Sequence, residues 1–307
     1  MNLASRSRDT RDTCDKLARY AELFLCSLVV GTMAACSGTL PSRGPGVEGL
    51  PFSPVGMVLV PGGPYHYDCN EAVYPDCDAD EIPGSTRSLP AFHIDQTEVT
   101  VAAYRECVSA GACGEQGLEM PYWQYAEQPH WAWACNWSYT DREQHPINCI
   151  GFEMASTYCA WRGKRLPTQG EWQKAARGTE GWTYPWGNDA SYTQDRLMAN
   201  IADETYRRYD PLWKIARGYD DGYLTSAPVG SFPHGASPYG ALDMAGNVWE
   251  WTGGHPIDEE GEEIKDRRWT NGGSFDSRPA LTRVTFHYPT RPESRFSNVG
   301  MRCAAGG

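Results

Sequence analysis

Leu242-Asp243-Met244-Ala245-Gly246-Asn247-Val248-Trp249-Glu250-Trp251 sets two carboxylates around a Gly-Asn pair and ends in two tryptophans. That mixture suits neither a plain helix nor a plain strand. Trp249 and Trp251 are two apart, so an extended segment puts both rings on one face. Asp243 and Glu250 flank a turn whose backbone carbonyls can point inward. Carboxylates with turn carbonyls form the ligand set of a hard cation, calcium above all.

Five further stretches accompany it in order: Gly163-Lys164-Arg165-Leu166-Pro167-Thr168-Gln169-Gly170-Glu171-Trp172, Ala175-Ala176-Arg177-Gly178, Tyr184-Pro185-Trp186-Gly187, Gly272-Gly273-Ser274-Phe275 and Val299-Gly300-Met301-Arg302-Cys303. Together they make the chain resemble the formylglycine-generating enzymes, or sulfatase-modifying factors, from about Val55 to Cys303. The resemblance implies an α+β fold, a compact variant of the C-type lectin fold with short strands, few helices and much irregular backbone. It carries fold more specifically than activity.

Residues 1–35 read as a secretory leader. Arg6, Arg8, Arg11, Lys16 and Arg19 precede an apolar run from Leu23 to Ala35, and Ala34-Ala35-Cys36 resembles a bacterial lipobox in which Cys36 is lipidated. The run is too short to span a bilayer comfortably. Residues 36–54, rich in Gly, Pro and Ser, then form a tether, and 55–307 a single domain. The expected location is a bacterial cell envelope, periplasmic or surface-facing, with the membrane touched through the lipid anchor alone. Formal charge is −12, and a leader with five basic and four acidic residues leaves −13 for the remainder. Such an acidic chain is a poor partner for nucleic acid or anionic lipid.

Setting aside Cys14, Cys26 and Cys36, the eleven cysteines fall to eight, the even number a disulfide framework needs. Spacing suggests Cys69 with Cys77, Cys107 with Cys113, and Cys135 with Cys149, although other connectivities stay open. Cys159 with Cys303 rests on the resemblance. A further family disulfide is missing, since Ala176 and His287 stand where some members carry cysteines. Thr100 is set to cap a short helix over 101–108, Phe152–Trp161 has helical periodicity, and Thr168 with Glu171 forms a capping box for a helix to Arg177. Met57–Gly63 and Phe92–Thr100 read as strands.

The resemblance implies two calcium sites. One would use side-chain oxygens of Asn200 and Asp221 with the carbonyls of Ile201 and Tyr223. The other would use Glu98, Asp243 and Glu250 with the carbonyls of Gly246 and Val248. Residues 119–149 form an insert crowded with Tyr122, Trp123, Tyr125, Trp131, Trp133, Trp137 and Tyr139. Trp123, Trp131, Trp133 and Trp137 are candidates for a platform that stacks on a sugar or an extended peptide.

Activity turns on the segment after Gly272. Family enzymes place two cysteines there, which bind copper(I) and activate oxygen to convert a substrate cysteine into formylglycine. Here the positions hold Ser277 and Thr282. Hydroxyls cannot replace soft thiolates for copper(I). His93, His234, His255 and His287 lack the short paired spacing of a metal site. The expectation is therefore a binding protein for a peptide, protein or glycan that keeps the enzyme fold without the copper centre. An active formylglycine-generating or related oxidase using other residues, and an envelope-structural or assembly subunit, are the alternatives.

Overall fold

The computed structural model describes residues 55–69, 84–123, 126–256 and 262–306. The leader, Cys36, the tether, Cys77 and Tyr125 lie outside the described residues. Among these residues the strands are short: β1 Met57–Val60, β2 Gly63–Tyr67, β3 Ser85–Leu89, β4 Phe92–Asp95, β5 Tyr122–Trp123, β6 Ala126–Glu127, β7 Trp249–Trp251, β8 Arg268–Asn271, β9 His287–Thr290, β10 Val299–Gly300 and β11 Ala304–Gly306. Four helices are interspersed, α1 Val101–Ser109, α2 Phe152–Trp161, α3 Gln169–Arg177 and α4 Glu204–Tyr209. None is long and apolar enough to cross a membrane.

One antiparallel sheet has the order β1-β4-β11, and a second, mixed sheet has the order β10-β7-β8-β9 with β10 parallel to β7. β2 and β3 form a separate hairpin. In β4 the alternation decides the faces: Phe92 and Ile94 point into a core shared with Val60, Trp172, Ala175 and Met244. The expected strand from Phe92 to Thr100 stops at Asp95. Beyond it the chain turns so that Thr100 Oγ1 accepts the Ala103 N–H at 3.1 Å and starts α1.

α3 begins as its sequence dictates. Thr168 Oγ1 accepts Glu171 N–H at 3.2 Å, Glu171 accepts Thr168 N–H at 2.8 Å, and Arg165 grips the same carboxylate with both terminal nitrogens at 2.6 Å. The basic turn is thus structural, with Lys164 paired to Asp95 at 2.5 Å. Trp249 and Trp251 both sink into the largest core cluster, where Trp251 Nε1 donates to Ile150 O at 2.9 Å.

Three disulfides tie these pieces, Cys107–Cys113, Cys135–Cys149 and Cys159–Cys303. Cys69 is also disulfide-bonded. Cys159 on α2 and Cys303 ahead of β11 join helix to sheet across 144 residues of chain.

Candidate functional site

The stretch from Leu242 to Trp251 is the centre of a buried polar seam. Asn200 Nδ2 donates to Asn247 Oδ1 at 3.2 Å, and Asn247 Nδ2 donates to Glu98 Oε1 at 2.9 Å. Gly246 makes this approach possible: at φ 81° a Cβ there would lie 2.1 Å from the Asn200 carbonyl oxygen. Asp243 and Asn247 also adopt positive φ, 57° and 58°, which turns the loop back onto itself.

At one end of the seam, Asp221 receives the Ile201 and Tyr223 N–H groups at 2.9 Å each, while its own N–H donates to Asp203 Oδ2 at 2.6 Å. Burial, and then the neighbouring Asp203, push the Asp221 carboxyl up to about 8. Asn200 Oδ1 is buried without a partner among the described residues. At the other end, Glu98 Oε2 is likewise buried and unpartnered, and burial followed by Asp243 raises the Glu98 carboxyl well above its usual range. The carbonyls of Ile201, Tyr223, Gly246 and Val248 receive no protein hydrogen bond among the described residues. Orphaned oxygens beside crowded carboxylates fit a hard cation at each end. No group of three or more His, Cys, Asp or Glu among the described residues could hold a metal ion. Any cation here therefore relies on amide and carbonyl oxygens, which again favours calcium over zinc.

Glu250 is paired within the protein. Its two oxygens accept Arg302 Nη2 and Nε at 2.7 Å each, and Oε2 also accepts Trp172 Nε1 at 2.7 Å. The carboxylate is held by a buried arginine and an indole, which fix the turn from behind. The sequence reading missed Arg302, Asp203 and Asn247. Asp203 had a signal, since it precedes Glu204-Thr205 as an N-cap and accepts the Thr205 and Tyr206 N–H groups.

The segment Gly272–Thr282 lies against this seam, with Phe275 N–H donating to Asn247 O at 3.0 Å. Ser277 is buried, and its Oγ accepts Ser274 N–H at 3.0 Å and lies 3.1 Å from Ser274 Oγ. Ser274 Oγ donates to Asp276 at 2.6 Å, and burial raises the Asp276 carboxyl. Thr282 is fully buried, donating to Pro279 O at 2.9 Å, which leaves Tyr192 OH to donate to Thr282 Oγ1 at 2.8 Å. Gly273, at φ 74°, lets the loop close over Thr282, where a Cβ would meet Thr282 Cγ2 at 2.7 Å. Both hydroxyls thus serve a packed loop. All seven cysteines among the described residues are disulfide-bonded. A soft thiolate site for copper(I) does not fit this donor set. The histidines are scattered: His287 packs on Trp269, His255 contacts Arg268, and His93 lies on β4.

The four tryptophans of the insert part company. Trp137 packs edge-on to Tyr104 with the Arg105 guanidinium over its ring, a structural position. Trp123 lies beside Phe296. Trp131 and Trp133 stack on each other and meet Tyr209 of α4.

The model of the sulfatase-modifying factor enzyme 1-like domain matches residues 48–306. The chain is 36% identical over 202 residues to a formylglycine-generating enzyme of Thermomonospora curvata, covering 60% of this chain and 61% of that enzyme's length. It is 32% identical over 284 residues to the inactive C-alpha-formylglycine-generating enzyme 2 of Mus musculus, covering 81% and 85%. The solved structure of PvdO from Pseudomonas aeruginosa shares the fold, with a TM-score of 0.58 at 21% identity over 82% of this chain and 94% of that one.

Proposed function

Because the chain belongs to the sulfatase-modifying factor enzyme 1-like family, we propose that it is a calcium-stabilised member that has lost the cysteine-centred oxidation. Its role is that of a non-catalytic binding protein, carried to the cell envelope on a lipid anchor. The observation that carries this reading is the pair Ser277 and Thr282, buried hydroxyls tied into their own loop where family enzymes hold cysteines. Relatives named formylglycine-generating enzyme and inactive C-alpha-formylglycine-generating enzyme 2 are both similar to this chain, which is compatible with a member that has lost the activity. The export reading is supported by the leader-like sequence of residues 1–36.

Intact-mass analysis before and after reduction, with alkylation, is expected to find no accessible thiol in the native mature protein. A cysteine-containing peptide incubated with the protein and copper(I) is expected to yield no aldehyde. Accessible thiols together with copper-dependent aldehyde formation would establish an active oxidase in place of a binding protein.

Calcium is the second part of the same reading. Asn200, Asp221, Ile201 and Tyr223 would hold one ion, and Glu98, Asp243, Gly246 and Val248 another. Bound cations would neutralise carboxylates that burial leaves without counter-charge. At free calcium about a hundredfold above Kd, one site stabilises the fold by about 2.7 kcal/mol. For a domain of this size that is roughly 5–11 °C in thermal midpoint. A calorimetric midpoint unchanged by chelator and by added calcium would refute the ion sites.

A further inference from the structure

A recess of about 370 Å³ opens beside α4, formed by Arg207 and the loop that follows the helix. Its lining is unusual for an acidic protein. Lys214 and Arg217 face it together with Arg207, and neither Lys214 nor Arg217 has a carboxylate partner among the described residues. Arg207 is only loosely paired, 3.4 Å from Glu204 at an exposed position. The apolar wall is equally open, with Leu212 94% and Trp213 46% exposed. Exposed apolar groups rimmed by cations on a chain of formal charge −12 mark a local site rather than a general property of the surface.

Trp213 is held rigidly. Its Nε1 donates to Asp276 O at 2.7 Å, next to Ser277, and its ring packs 5.9 Å from Tyr206. From Tyr206 the rings continue to Tyr209 at 6.0 Å, and from Tyr209 to Trp133 at 5.7 Å and Trp131 at 6.1 Å. Tyr206 is buried, so these contacts anchor the rings from inside, and Tyr209 and Trp213 are the rings that stand exposed beside the cationic recess.

We propose that this recess, with the exposed rings of Trp213 and Tyr209 beside it, binds an anionic polysaccharide, one bearing carboxylate or sulfate groups. The proposal rests on the reading of the protein as a binding protein and names the class of its ligand. Ring faces present apolar surface to the C–H faces of sugars. Guanidinium and ammonium groups beside these rings take the acidic substituents, the arginines in bidentate fashion. An acidic peptide is less well served. Extended peptides gain affinity from an open strand edge, and the recess is walled by a helix and a loop without a strand among its lining residues.

The test is titration calorimetry of the mature protein in calcium with heparin as the sulfated probe, alginate as the carboxylated probe, dextran as the neutral control and poly-glutamate as the acidic peptide. At least one charged polysaccharide is expected to bind, more weakly at high salt, and dextran is not. K214E/R217E is expected to weaken binding roughly tenfold or more, as charge reversal at an electrostatic site does. K214A/R217A gives a smaller loss in the same direction. Both positions are exposed, so the thermal midpoint should stay at the parent value. W213A is expected to weaken binding without altering its salt dependence. Absence of binding to heparin and alginate, parental affinity in K214E/R217E, or poly-glutamate binding as tightly as either polysaccharide would overturn the proposal. None of these outcomes bears on the thiol and aldehyde measurements, so the two readings fail separately.

Discussion

Replacing Arg302 by leucine is expected to cost about 3–5 kcal/mol of stability, the range for breaking a buried ion pair from one side. Arg302 is fully buried, and each of its five N–H donors has an acceptor: Nε and one Nη2 hydrogen reach Glu250, the other Nη2 hydrogen reaches Leu242 O at 2.8 Å, and Nη1 reaches Asp95 O and Gln96 O at 3.1 and 3.2 Å. Burial opposes the charge, yet Glu250 beside it holds the guanidinium protonated. Leucine would leave the Glu250 carboxylate buried with Trp172 as its remaining side-chain donor, and would strip the Arg302 donors from Asp95 O and Leu242 O, while Gln96 O keeps the Leu242 N–H at 2.7 Å. Lysine would not rescue it, because an ammonium cannot span a carboxylate and three divergent carbonyls. Equilibrium urea unfolding of R302L, E250Q and the double variant measures the coupling. A loss below about 1 kcal/mol in R302L, the scale of an exposed pair, would mean that the seam is held by something other than this arginine.

That arginine also shows where the sequence stopped being readable. Local signals were legible: Thr100 and Thr168 cap their helices, Trp249 and Trp251 share a face, and Cys107–Cys113 and Cys135–Cys149 pair at short spacing. Each depends on groups close in sequence, at most 14 residues apart, so spacing carries the information. What escaped depends on distant partners. Glu250 looks like a cation ligand from its neighbours in the chain, and only the parallel pairing of β10 with β7 brings Arg302 beside it. The pairing of β2 with β3 and the placement of β11 beside β4 have no local signature at all. The aromatic insert depends on distant partners too: Trp137 packs against Tyr104 and Arg105 of α1, and Trp133 meets Tyr209, more than 70 residues downstream.

The disulfide from Cys159 to Cys303 should be the costliest covalent tie to remove. By loop-closure entropy a 144-residue separation constrains the unfolded chain by about 5 kcal/mol, whereas the 6-residue Cys107–Cys113 loop gives about 2 kcal/mol. The long loop encloses α3, the polar seam and the whole Gly272–Thr282 segment, so nearly every element of the candidate site lies inside it. In the folded state both sulfurs are in the main core, and Cys303 N–H donates to Asp95 at 2.9 Å, so the C-terminal strand is also fixed by hydrogen bonds. The native contacts should therefore outlast the bond, and the loss should fall mainly on the unfolded side. C159A/C303A is then expected to fold with unchanged circular dichroism but to unfold at much lower urea than C107A/C113A, with a steeper denaturant dependence because the released chain expands. Equal losses in the two pairs would show that the fold, rather than the unfolded chain, sets the value of these bridges. The disulfides would then act by holding native geometry, and the tie between α2 and the C-terminal strand would be no stronger than the small loop beside α1.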